Sequence, residues 1–62
     1  SLTISNNKLT EVDVSHAPKL NYLELQDNSI TQLDLSHNSV LTPGAVFYSG
    51  NPLAPEDIKW YK

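Results

Sequence analysis

Apolar residues come in short alternating bursts along this chain: Leu2 and Ile4, Val12 and Val14, Leu23 and Leu25, Leu33 and Leu35, Val46 and Tyr48. Period-two alternation predicts extended segments with one face turned inward. The bursts repeat. Sliding the chain along itself until Leu2 lies on Leu23 also lays Ile4 on Leu25, Asn7 on Asn28, Leu9 on Ile30, Val12 on Leu33, Val14 on Leu35 and Leu20 on Leu41. Thr10, Asp13, Ser15 and His16 recur unchanged as Thr31, Asp34, Ser36 and His37. A period of this length predicts a stacked architecture, in which each coil is two short straight edges joined by tight corners. Neither edge can bury itself alone, so the coils share one interior.

The third copy is altered. Val46, Tyr48, Asn51 and Leu53 keep the spacing of Leu23, Leu25, Asn28 and Ile30, but each stands two positions later than the period requires, which places an insertion of that length around Pro43 and Gly44. After Leu53 no second alternating half is expected. The segment APEDIKWYK instead predicts a short helix, with Pro55 at its first position and Glu56 and Asp57 in the first turn, where the helix dipole favours negative charge. Ile58 with Trp60 or Tyr61 would fold over the end of the core. Residues 1–53 thus read as about two and a half repeats, and residues 54–62 as a cap or the junction to another domain. At the other end Ser1 to Ile4 begin inside a strand, so the N-terminal edge is expected to meet further repeats or another chain.

Asn7, Asn28 and Asn51 fall where the chain leaves a strand. Backbone groups at such a corner point inward, and an amide side chain can both donate to carbonyls and accept from N–H groups. These three residues are therefore expected to form an internal ladder, the alternative being asparagines of surface turns.

The motif LxxLxLxxNxL, carried by Leu20, Leu23, Leu25, Asn28 and Ile30, resembles a leucine-rich repeat. The 21-residue unit, with LTEVDVSHAPKL and ITQLDLSHNSVL, is similar to the bacterial repeats of internalin-J-like surface proteins and of Bacteroidetes-type arrays. The resemblance covers residues 2–41 strongly and 45–53 less so. It implies an α/β solenoid: a right-handed coil with short parallel strands on a concave side and a mostly irregular convex side. It also implies a secreted or cell-surface bacterial protein that adheres to other macromolecules.

Composition narrows the alternatives. The 62 residues carry four basic and seven acidic side chains, a net charge of −3. Scattered lysines without arginine argue against a nucleic-acid surface. The longest apolar run, Ala45 to Phe47, is far short of a membrane span. With no cysteine the chain has no disulfide staple, and two histidines alone make no ordinary zinc site. His16 and His37 would stack one coil apart, yet without a third ligand they read as exposed repeat histidines, and no metal or cofactor is expected. Asp13, Ser15 and His16, like Asp34, Ser36 and His37, have the letters of a hydrolytic triad. Neighbours in one tight turn rarely converge as nucleophile, base and orienter, so the serines are expected to cap backbone groups and no catalytic residue is assigned.

The residues between the inward ones carry the candidate function. Thr3, Glu24 and Phe47 form one outward row, Ser5, Gln26 and Ser49 another, and Tyr22 lies beside Ala45 in a third. Tyr22, Glu24, Gln26, Phe47 and Thr3 are the expected contacts for a protein ligand, because exposed aromatics beside polar groups carry much interface energy. The alternative is a one-residue register slip that turns Phe47 inward and Tyr48 outward. Noncovalent protein recognition is the favoured reading; substrate-recognition repeats of an effector such as a ubiquitin ligase, or a structural spacer, are the others.

Overall fold

A computed structural model describes all residues, 1–62. The alternating bursts form short strands: β1 (Leu2–Thr3), β2 (Leu23–Glu24), β3 (Leu33–Leu35), β4 (Val46–Phe47) and β5 (Ile58–Trp60). All strand pairings are parallel. A first sheet has the order β1-β2-β4, with Leu2 opposite Leu23 and Leu23 opposite Val46. A second sheet pairs β3 with β5. The repeat period is therefore realised as cross-strand neighbours, and the longer offset of the third copy as the register of β4. The two inserted residues are taken up by a 3-10 turn, Pro43–Ala45, which leads into β4. Val12 to Val14 align with β3 in sequence but join neither sheet.

The inward leucines meet between the sheets. Leu23, Leu25, Ile30 and Leu35 have no measurable exposure, and Leu33, Val46 and Ile58 close the same cluster. Fully burying a leucine or isoleucine contributes about 1.5–3 kcal/mol, so these few side chains are the main favourable term of a small fold.

The C-terminal segment departs from the expected helix. Pro55, Glu56 and Asp57 do start a helical turn, and the Asp57 carboxylate accepts the Ala54 N–H at 3.0 Å. The turn is a single 3-10 turn, Pro55–Asp57, and the chain then becomes β5, with Leu33 opposite Ile58, Asp34 opposite Lys59 and Leu35 opposite Trp60. The second half of the third repeat, expected to be missing, is thus present, with Ile58 in the place beside Leu33 that a strict period would give to Ala54. Two features favour the strand. Ile58-Lys59-Trp60 has period-two spacing with a β-branched and an aromatic residue, and the free edge of β3 offers a hydrogen-bond ladder that a lone helical turn cannot match. Ile58 is buried and Trp60 packs against the same core, so residues 54–62 extend the interior.

Backbone pairing is sparse. Twenty backbone hydrogen bonds serve 62 residues, against about one internal bond per residue of all kinds in a typical domain. Side chains at the corners make up much of the difference. The corner after each strand of the first sheet turns through a left-handed residue: Asn6 at φ 58°, Asp27 at φ 60° and Gly50 at φ 77°. Asn and Asp tolerate that region, but at Gly50 space decides as well. A Cβ there would run into Asp27 Oδ1 and stand 3.0 Å from the Asp27 backbone nitrogen. Gly50→Ala is expected to cost about 1–3 kcal/mol, read from urea unfolding, because strain and crowding add.

Candidate recognition face

The outward side of the first sheet is built by strand alternation. Leu23 and Leu25 face in, so Tyr22, Glu24 and Gln26 face out; Val46 faces in, so Phe47 faces out. The register places Thr3 beside Glu24 and Glu24 beside Phe47, as the outward row requires. The register-slip alternative does not occur: Phe47 is 39% exposed and Val46 6%, while Tyr48 packs partly against the core.

Cross-strand contacts order this face. Thr3 Oγ1 donates to Glu24 Oε1 at 3.1 Å and Ser5 Oγ donates to Gln26 Oε1 at 3.0 Å, fixing a carboxylate and an amide that would otherwise be free rotors. The Tyr22 and Phe47 rings sit with centroids 5.5 Å apart and planes at 52°, a tilted pair that holds two exposed aromatics together. Thr3, Tyr22, Glu24, Gln26 and Phe47 are thus brought onto one side of one sheet. No pocket opens there or elsewhere on the molecule.

The asparagine column lies behind the face. Asn28 is buried; its amide donates to the carbonyls of Ile4 (2.7 Å) and Leu25 (3.0 Å), and its oxygen accepts from the Leu9 N–H at 3.3 Å. Asn51 repeats the pattern one step on, donating to Leu25 and Tyr48 at 2.8 Å each and accepting from the Ile30 N–H at 3.0 Å. Each therefore ties its own corner to the preceding stretch of chain, and for these two the surface-turn alternative is set aside. Asn7 is a correction. It is exposed and bonds only the Ser5 carbonyl, because a ladder amide reaches back to the preceding strand and the sheet has none on that side of β1.

A buried asparagine outside the expected set lies under the second sheet. Asn38, 1% exposed, donates to the carbonyls of Val14 and Ala17 at 2.9 Å, and its oxygen has no partner. Its equivalent one period earlier is Ala17, so the repeat comparison gives no asparagine signal there. The only available hint is the substitution itself, a polar residue replacing a small apolar one in otherwise identical SHA and SHN corners.

Those corners place the acid, hydroxyl and imidazole in adjacent positions. Ser15 Oγ donates to Asp13 Oδ1 at 2.6 Å, the Ser15 N–H donates to the same oxygen at 2.9 Å, and His16 Nδ1 stands 3.2 Å from the hydroxyl. Asp34, Ser36 and His37 repeat the arrangement. In a hydrolytic triad the serine proton goes to the imidazole and the carboxylate orients the ring; here the proton goes to the carboxylate, and the group is a turn cap, as expected for the serines. No cluster of three His, Asp or Glu side chains is placed to hold a metal ion.

The capping bonds favour the ionised aspartates. The Ser15 hydroxyl first, then its N–H, hold Asp13 below the ordinary value of 3.8, and Ser36 does the same for Asp34. A lowered folded pKa means that the contribution is complete above the unfolded value and fades as pH falls through the folded one, so these corners loosen only below about pH 3.8. In a carboxyl-carbon NMR titration Ser15→Ala should raise the Asp13 midpoint toward 3.8 and leave that of Asp34 in place.

No helix is long and apolar enough to cross a membrane. Compared with known proteins, the chain matches no family model, no curated protein and no solved structure.

Proposed function

We propose that this chain is a stretch of leucine-rich-repeat solenoid whose activity is noncovalent protein recognition on the outward face of the first sheet. The reading is supported by the parallel ladder Leu2, Leu23, Val46, in which residues one repeat apart become neighbours, and by the Asn28 and Asn51 amides that bind each corner to the one before. Leucines and asparagines spend themselves on the scaffold. What varies between copies, Thr3, Tyr22, Glu24, Gln26 and Phe47, is displayed, and a face constant in shape but variable in side chain suits a binding surface. Its resemblance to internalin-J-like repeats extends the proposal to a secreted or surface-exposed bacterial protein in adhesion or host interaction.

The observation that carries the reading is the exposed, mutually packed Tyr22–Phe47 pair beside an ordered Glu24. Aromatics left at the surface in contact with one another bury area at once when a partner arrives, at little entropic cost. The test is a capture experiment with immobilised wild type and a Tyr22→Ser, Glu24→Ala double variant exposed to extracellular proteins. A protein retained by the wild type and lost by the variant supports the assignment. Unfolding of the variant should be lowered by no more than the roughly 0.5–1.5 kcal/mol of an aromatic pair. Equal retention by both would remove the site from this face.

A further inference from the structure

We infer that the recognition face takes a cationic side chain, an arginine on an extended segment of the partner, with Glu24 as its counter-charge and the Tyr22 and Phe47 rings as its wall. The inference rests on the proposed recognition reading and adds the chemistry of the ligand. Outward positions on the first sheet are Ser1, Thr3 and Ser5, then Tyr22, Glu24 and Gln26, then Ala45, Phe47 and Ser49. Among these side chains Glu24 carries the only charge, and no lysine shares the face to neutralise it.

The carboxylate is positioned for this. The Thr3 hydroxyl holds Oε1, while Oε2 has no partner in the chain. Glu24 lies directly across from Phe47 in the β2–β4 register, so carboxylate and ring are separated by about one strand spacing, 4.7–4.9 Å at the backbone. Tyr22 is on the same side of β2 and contacts Phe47. A guanidinium laid against these rings meets their negative faces and can donate to Oε2 in the same pose. An ammonium can satisfy one of the two demands well, but it lacks the plane that stacks.

A flat face with one fixed anion also sets what it rejects. An acidic segment would meet Glu24 with no compensating cation, and a neutral apolar one would leave Oε2 desolvated without a donor. The bound segment would lie across the outward face and not along a free edge of the sheet, so its affinity comes from side chains.

Titration of 15N-labelled protein with the capped peptide Gly-Arg-Gly-Arg-Gly, and with the same peptide carrying citrulline for arginine, tests the inference. Citrulline keeps the planar shape and loses the charge. The arginine peptide should give saturable shifts at Tyr22, Glu24 and Phe47, weakened about tenfold by citrulline, by Glu24→Gln and by raised salt. Glu56→Gln, an exposed acid off this face with the same change in net charge, should leave binding unaltered. Equal binding of both peptides, or indifference to Glu24→Gln, would overturn the cationic inference while leaving the recognition reading to the capture experiment. Shifts spread over Asp13, Asp34 and Glu56 would mark general attraction to an acidic chain and overturn it too, as would no shifts at all.

Discussion

Asn28→Leu should cost the protein a large part of its stability, about 2–4 kcal/mol, while Asn7→Leu, the same change one repeat earlier, should be close to neutral. The buried Asn28 amide is shared between the carbonyls of Ile4 and Leu25, and its oxygen serves the Leu9 N–H. Leu25 retains the Asn51 amide as a second donor, so the groups that lose their partner are the Ile4 carbonyl and the Leu9 N–H. A fully buried orphaned group costs about 1–3 kcal/mol; both of these are part-buried, which keeps each in the lower part of that range, and the leucine fills the space without meeting the demand. The expected loss is about 2–4 kcal/mol. At roughly 0.05–0.15 kcal/mol per residue, a chain of this size has about 3–9 kcal/mol in total, so the loss is a large part of its stability. Asn7 is exposed and bonds only Ser5, and its replacement should cost less than about 0.5 kcal/mol. Urea unfolding followed by circular dichroism reads both. Equal costs would mean that the asparagines serve their own corners and not the stacking between them.

Leu35→Ala should cost about 2–5 kcal/mol, the range for removing a fully buried leucine into a core that closes only partly around the gap. Leu35 has no exposure and lies opposite Trp60 across the β3–β5 pairing. The loss should therefore reach the C-terminal segment: Trp60 fluorescence should move toward the solvent-exposed emission in native buffer, before the rest of the chain unfolds. A variant with the expected destabilisation but unchanged tryptophan emission would place Trp60 away from Leu35.

Much of this architecture is legible because the repeat is nearly regular. Leu2, Leu23 and Val46 share a spacing that the parallel register reproduces, and the outward rows follow from alternation once the inward residues are fixed. The β5 strand is hidden for a physical reason. It comes late for the period, none of Ile58, Lys59 and Trp60 is identical to Leu33, Asp34 and Leu35, and the preceding Pro-Glu-Asp is a true helix-start signal. That signal is local, and the free edge of β3, created by residues far away in the chain, stops it after one turn. Asn38 is hidden because its repeat partner is alanine. Asn7 errs in the opposite sense: the motif is intact, but a ladder amide reaches back to the preceding strand, as Asn28 does to Ile4 and Asn51 to Leu25, and the sheet has no strand on that side of β1. The left-handed column Asn6, Asp27 and Gly50 is open to reading, since each immediately precedes one of the repeat asparagines Asn7, Asn28 and Asn51 and belongs to the three residue types that tolerate positive φ.

The central claim is that residues one repeat apart in the chain are side-by-side neighbours in two parallel sheets. Nuclear Overhauser contacts in 13C-labelled protein test it most directly. Leu23 methyls should contact both Leu2 and Val46, and Leu33 should contact Ile58, with Lys59 and Trp60 showing the strong sequential Hα-to-amide contacts of extended chain. Helical contacts from Pro55 through Tyr61, together with no contact between Leu23 and either Leu2 or Val46, would contradict the shared interior and the face built on it.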